Sequence, residues 1–74
     1  DDVISRDQTA QVEAALVGLP EREERVLRMR FGIGERREYT LSEIGREMSL
    51  SRERIRQIET EALQRMRLMM ERTA

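Results

Sequence analysis

The sequence predicts an all-α fold, a small four-helix domain containing a helix-turn-helix at about residues 40–67. Three observations carry that prediction. Leu41, Ile44 and Met48 repeat at helical spacing, and so do Ile55, Ile58 and Ala62 further on. Between the two runs, Ser49-Leu50-Ser51 is too short for a loop and too polar for a helix interior. Thr40 and Glu43 form a T-x-x-E capping box, in which a hydroxyl and a carboxylate satisfy backbone donors at a helix start. A short helix, a sharp turn and a longer helix make a unit whose second helix can enter the DNA major groove.

The remaining elements follow in order. Residues 1–18 read as an acidic N-terminal helix with its lead-in, and residues 19–74 as the region that bears the helix-turn-helix. Residues 1–4 are expected to be a frayed end or linker. From about Ser5 or Asp7 to Val17, the apolar positions Ala10, Val12, Ala15 and Leu16 predict a weakly amphipathic helix. Gly18 is expected to end it in a left-handed conformation, and Pro20 suits the first turn of the next helix. That second helix spans about Pro20 to Phe31. It opens with Glu21, Glu23 and Glu24 and closes with Arg28 and Arg30, the order that complements the helix dipole. Val26 and Leu27, with Phe31 as a further candidate, supply its buried stripe, and Leu19 staples its entry. Gly32 and Gly34 break the pattern, and residues 34–38 contain no apolar side chain, so they read as an exposed loop. The third helix starts after Thr40 and runs to about Met48. Gly45 is unfavourable in mid-helix, which calls for a packing reason such as close approach of the next helix's backbone. Ser51 N-caps the last helix, expected to run to about Met70.

Composition narrows the function classes. Seventy-four residues make one domain near the lower limit for an unstapled core. Cysteine and histidine are both absent, so a metal would have only oxygen ligands, and these are not spaced as in a calcium loop. No metal or cofactor is expected. No catalytic residues are expected either: there is no phosphate-binding glycine loop, and Ser42, Ser49 and Ser51 have no evident base. The chain is therefore read as a non-enzyme without a small-molecule substrate. No apolar run could span a bilayer and no signal-peptide pattern is present, so a cytoplasmic setting is expected and a membrane partner is not. The chain starts Asp1-Asp2 without methionine and is expected to derive from a longer one.

Charged residues are 39% of the chain, yet the net charge is only −1. That balance counts against tight, autonomous nucleic-acid binding. The charge is unevenly placed, with Asp1, Asp2, Asp7 and Glu13 against Arg6 at the start, and arginines outnumbering acids from residue 51 onward. Every basic residue is an arginine, whose fork can pair bidentately with phosphate or guanine.

Wound as a helix, residues 51–67 separate two faces. Ile55, Ile58, Ala62 and Met66, followed by Met69, fall on one side. Arg52, Glu53, Arg56, Gln57 and Thr60 fall largely on the other. Arginine pairs with guanine O6 and N7, glutamate accepts from cytosine N4, and glutamine pairs with adenine N6 and N7. For any single charged residue, a solvated surface is the ordinary reading. As a stabilising ion-pair pattern, however, the face is poor, because Arg52 and Arg56 are like charges at i,i+4. Glu53 would repel phosphate, so it points to base readout or to a brace for a neighbouring arginine, and base readout is the favoured reading.

The strings Tyr39-Thr-Leu-Ser-Glu-Ile-Gly-Arg-Glu47 and Ser51-Arg-Glu-Arg-Ile-Arg-Gln-Ile-Glu59 closely resemble the fourth conserved region of primary or primary-like bacterial RNA polymerase sigma factors. Leu19-Pro-Glu-Arg-Glu-Glu-Arg-Val-Leu-Arg-Met-Arg-Phe-Gly-Ile33 resembles the first half of that region, so the likeness covers roughly residues 16–67. The resemblance implies a module that recognises the promoter −35 element in the major groove while docking on the β-flap of the RNA polymerase core. Carried over by position, Arg52 and Glu53, with Gln57 beside them, would read bases, and Arg56 would contact an adjacent base or the backbone. Arg22, Arg30 and Arg54, with Thr40 and Ser51, would hold phosphates. Leu27, Phe31, Ile33, Met66 and Met69 would meet the flap or a regulator. Three features depart from the family pattern. Ser49 stands where many helix-turn-helix units have glycine. Glu61 and Gln64 stand where basic residues commonly meet transcription activators. The chain ends Leu68-Met-Met-Glu-Arg-Thr-Ala74 without a histidine-proline-serine-rich tail. Two other readings stay open: an interaction module bound by an anti-sigma factor or other regulator, suited to adaptable methionines, and a free-standing helix-turn-helix regulator.

Overall fold

A computed structural model describes residues 6–73, with side chains described from Val12 to Glu71. The lead-in at residues 1–4 and the side chain of Ala10 lie outside the described residues. The element order is α1 (Arg6–Val17), α2 (Glu21–Phe31), α3 (Leu41–Met48) and α4 (Arg52–Thr73), with no strand among the described residues. The all-α expectation therefore holds, and the last helix runs past the expected Met70.

Local chemistry accounts for most boundaries. Pro20 stands just outside α2 rather than in its first turn, at φ −53° and ψ 146°. Its carbonyl accepts the Glu24 N–H at 2.9 Å, a role that needs no N–H of its own. Gly32 ends α2 in the left-handed region, at φ 71°. The capping box at α3 is present: Thr40 Oγ1 accepts the Glu43 N–H at 3.1 Å, and Glu43 Oε1 accepts the Thr40 N–H at 2.9 Å. Ser51 caps α4, its Oγ accepting the Arg54 N–H at 3.0 Å.

Gly18 differs from expectation. Its N–H donates to Ala15 O at 3.1 Å, and it does not adopt the left-handed conformation. A Cβ there would lie 3.3 Å from Met69 Sδ on α4, a tight contact with a flexible side chain. Gly45 has the packing reason that its mid-helix position called for. A Cβ on it would stand 2.5 Å from the Leu50 carbonyl oxygen, in the turn that leads into α4. That turn is closed by Leu50 N–H donating to Gly45 O at 2.8 Å, and it places Ser49 in the left-handed region at φ 59°.

The core has two parts, both spanned by α2 and α4. Val12, Leu16, Leu19, Leu27 and Ala62 form one, with Ile33, Met66, Met69 and Met70 packed against it. Val26, Met29, Ile44, Ile55 and Ile58 form the other, flanked by Tyr39, Leu41, Met48 and Leu50. The boundary expected after residue 18 falls at a turn, and α1 shares the first cluster with α4. Two expectations for α2 need correction. Phe31 is 46% exposed and is not part of the buried stripe, and Met29 takes that place on the other side of the helix. Four residues beyond Leu27, Phe31 is turned about 40° further from the packed face. Leu27 itself is 1% exposed, so a partner could reach it only by displacing the core.

Ion pairs tie the helices across this core. Arg28 donates from both terminal nitrogens to Glu13 on α1 at 3.0 Å, and from Nε to Glu24 at 2.9 Å. These hydrogen bonds raise the Arg28 pKa above its usual value and lower that of Glu13. Arg65 on α4 donates to the buried Glu23 on α2 at 3.1 Å.

Candidate nucleic-acid interface

Capping by Ser51 fixes where α4 begins, and burial of Ile55 and Ile58 fixes which side faces outward. Arg52, Glu53, Arg56, Gln57 and Thr60 are exposed together on the first turns of α4. The structure thus brings all four expected base-reading side chains onto one solvent face. Arg52 makes no hydrogen bond or ion pair among the described residues. Arg56 donates to Glu53 through Nε at 3.0 Å and through Nη2 to the second carboxylate oxygen. That pairing holds the Glu53 carboxyl below the usual carboxylate range and raises Arg56. Arg54 approaches the Gln57 amide oxygen at 3.5 Å, and Thr60 donates to the Arg56 carbonyl at 3.0 Å.

The expected phosphate-binding residues divide. Arg22 is exposed without a partner among the described residues, whereas Arg30 is half engaged in the fold. Its Nε lies 3.5 Å from the Glu59 carboxylate and its Nη1 donates to the Tyr39 carbonyl at 3.4 Å. Thr40 and Ser51 both use their hydroxyl oxygens as caps, which leaves each hydroxyl hydrogen free to donate.

One group was not visible as a site in the sequence. Arg37, in the loop read as plain solvated chain, donates from both terminal nitrogens to Glu43 at 3.1 and 3.3 Å and lies 4.1 Å over the Tyr39 ring. It holds Glu43 below the usual carboxylate range, together with the Thr40 N–H. Tyr39 is itself tied to α2 by its N–H to Met29 O at 2.9 Å. The entry to the helix-turn-helix is thus clamped to α2, and only the Arg37–Glu43 spacing across the loop could have hinted at it.

Residues 15–68 match the family described as Sigma-70, region 4. The chain belongs to that family. Among its relatives, the RNA polymerase sigma factor SigA4 of Synechococcus elongatus is 48% identical over 62 residues, 84% of this chain and 20% of the relative. The RNA polymerase sigma factor RpoD of Helicobacter pylori is 46% identical over 68 residues, covering 90% of this chain and 10% of the relative. The RNA polymerase sigma factor SigA of Listeria monocytogenes is 53% identical over 57 residues, covering 77% of this chain and 15% of the relative. The chain therefore spans a fifth or less of the length of these relatives. Within this Sigma-70 region 4 domain, the matched span contains the exposed face of α4 from Arg52 to Thr60, the Arg37 clamp, the second core cluster and all of the first but Val12.

Proposed function

We propose that this domain recognises the promoter −35 element through the N-terminal face of α4 and docks on the β-flap of the RNA polymerase core to direct transcription initiation. The observation that carries this reading is the capped start of α4, where Arg52, Glu53, Arg56 and Gln57 stand clear of the core in a chain of this family. Arg52 offers a free fork for a guanine edge, and Gln57 offers an amide to a neighbouring base. Arg22 and Arg54, with the hydroxyl hydrogens of Thr40 and Ser51, hold phosphates on either side. Arg30 contributes mainly by setting α2 against α4. Phe31 is exposed, and Ile33, Met66 and Met69 are partly exposed while packed on the core, so these apolar groups can meet the flap. Leu27 supports them from inside the core.

A net charge of −1 supplies little of the sequence-independent attraction on which free-standing binders rely. Weak binding alone, strengthened by attachment to polymerase, is the behaviour this charge supports. The test is promoter binding by RNA polymerase holoenzyme assembled with the parent sigma chain carrying Arg52→Ala. Loss of one bidentate base contact, worth about 1–3 kcal/mol, would sharply reduce discrimination at the −35 element. Unchanged discrimination would remove the base-reading assignment. A β-flap fragment that failed to retain the domain, with or without a −35 duplex, would remove the docking assignment.

A further inference from the structure

The reading face is partly closed on itself. Glu53 and Arg56 are both more than half exposed, yet the carboxylate holds the guanidinium with both of its oxygens. Arg56 is a cation that could otherwise meet any phosphate brought near α4, whatever the sequence. From this geometry we infer that Glu53 is a specificity-determining residue that masks Arg56 from non-cognate DNA and releases it only where a base supplies a replacement donor. The inference rests on the −35 reading proposed above.

The chemistry is an exchange of hydrogen-bond donors. An ionised carboxylate accepts through about four lone-pair positions, and Arg56 occupies one on each oxygen. A cytosine N4 amine in the groove can donate to Glu53 in its place. The guanidinium is then free for a guanine edge or the adjacent phosphate. Phosphate oxygens are acceptors only, so non-cognate backbone offers Glu53 no donor and repels it. On such DNA the pair stays closed and one cationic contact is lost from the counterion-release term. Arg52, which makes no hydrogen bond or ion pair among the described residues, remains available on any sequence. A face built this way lowers non-specific affinity more than specific affinity, a discrimination made by an unfavourable element as well as a favourable one.

The test compares the affinity of this chain for a −35 duplex and for a scrambled duplex across a salt series that starts near 20 mM. Glu53→Gln keeps the shape and removes the charge. It is expected to tighten binding to the scrambled duplex and to steepen its log-affinity against log-salt slope by about 0.9, the value of one added phosphate contact. That slope corresponds to about a 3-fold greater loss of affinity between 50 and 200 mM salt. The cognate-to-scrambled ratio falls. Glu71→Gln changes net charge equally at the exposed far end of α4 and is expected to leave the slope unchanged. On an Arg56→Ala background, Glu53→Gln is expected to leave it unchanged as well, because nothing remains to unmask. An unaltered slope in Glu53→Gln, or the same steepening without Arg56, overturns the masking role. Arg52→Ala separates the two levels. If it lowers the cognate-to-scrambled ratio while Glu53→Gln leaves the slope alone, masking is wrong and base reading stands. If it leaves the ratio unchanged, both are wrong; the same variants in RNA polymerase holoenzyme, where attachment strengthens binding, must give the same order of ratios, and a holoenzyme ratio unmoved by Arg52→Ala and Glu53→Gln overturns both.

Discussion

Gly45→Ala is the most decisive test of how the reading helix is held. In an ordinary helix interior, replacing glycine with alanine is favourable by about 0.8–1 kcal/mol. Here the added methyl would stand 2.5 Å from the Leu50 carbonyl oxygen, with the Leu50 and Ser51 carbonyl carbons at 3.5 Å. The obstructing atom is backbone, so no rotamer change relieves it. Either α3 moves away from the turn or the 2.8 Å hydrogen bond from Leu50 N–H to Gly45 O is broken. Overpacking of this kind costs about 1–3 kcal/mol and occasionally more, and loss of a buried hydrogen bond adds about 1 kcal/mol. Against the propensity gain, the net expectation is a destabilisation of about 2 kcal/mol. A domain of this size holds only about 4–11 kcal/mol in total, and its midpoint temperature shifts by roughly 4–8 °C per kcal/mol. Thermal unfolding followed by far-ultraviolet circular dichroism should show a fall of roughly 8–16 °C. A midpoint that is unchanged or raised would show that helix propensity dominates, and would refute the close approach as the reason for glycine.

Three further expectations follow from neighbouring features. Ser49 is in the left-handed region at φ 59°, where a side chain is disfavoured by about 1–2 kcal/mol. Ser49→Gly should therefore stabilise the domain, by about 0.5–1 kcal/mol once glycine's greater freedom in the unfolded chain is counted, and a lower urea midpoint would contradict this. Arg28→Ala removes the link from α2 to Glu13 on α1; a loss of about 1 kcal/mol is expected, with hydrogen exchange accelerating in α1 before α3. The acid limb of stability has a defined sign. Glu13, Glu43 and Glu53 all have folded pKa values below the reference 4.5, so their contribution is present above pH 4.5 and is lost as pH falls through the folded values. Urea midpoints should be level from neutrality to about pH 5 and then decline, and Arg37→Ala together with Arg28→Ala should flatten that decline.

The parts of this fold legible in the sequence are those whose causes are local. The capping box at Thr40 and Glu43, the cap at Ser51 and the apolar spacing of α3 and α4 involve groups within one helical turn of each other, so residue type and spacing suffice. Gly45 was legible at one remove, since its unfavourable propensity signalled a contact whose identity, the Leu50 carbonyl, came only from the turn. Gly18 was misread for the same reason in reverse. Its local context fits a left-handed helix end, but it donates to Ala15 O without a positive φ, beside Met69 on a helix that reaches it only in the folded state. Phe31 and Met29 exchanged places because α2 packs on both core clusters, which widens its buried stripe toward one side. That widening depends on where α3 lies and leaves no mark on α2 alone.

The reading face shows the same division at the level of chemistry. The residue types from Arg52 to Gln57 and their common exposure could be read from periodicity, and Glu53 stood out because an acid does not belong on a surface that only holds phosphate. From the sequence alone an acid there is either a base contact or a brace. In the folded domain Glu53 grips Arg56 in a forked pair while remaining more than half exposed. A carboxylate in that position retains lone pairs for a base, so the brace and the base contact are compatible states of one side chain. On the proposed masking, the near-neutral charge that counts against tight autonomous binding would have a local counterpart: Arg56, paired with Glu53, would be a cation held in reserve by the residue proposed to test the base.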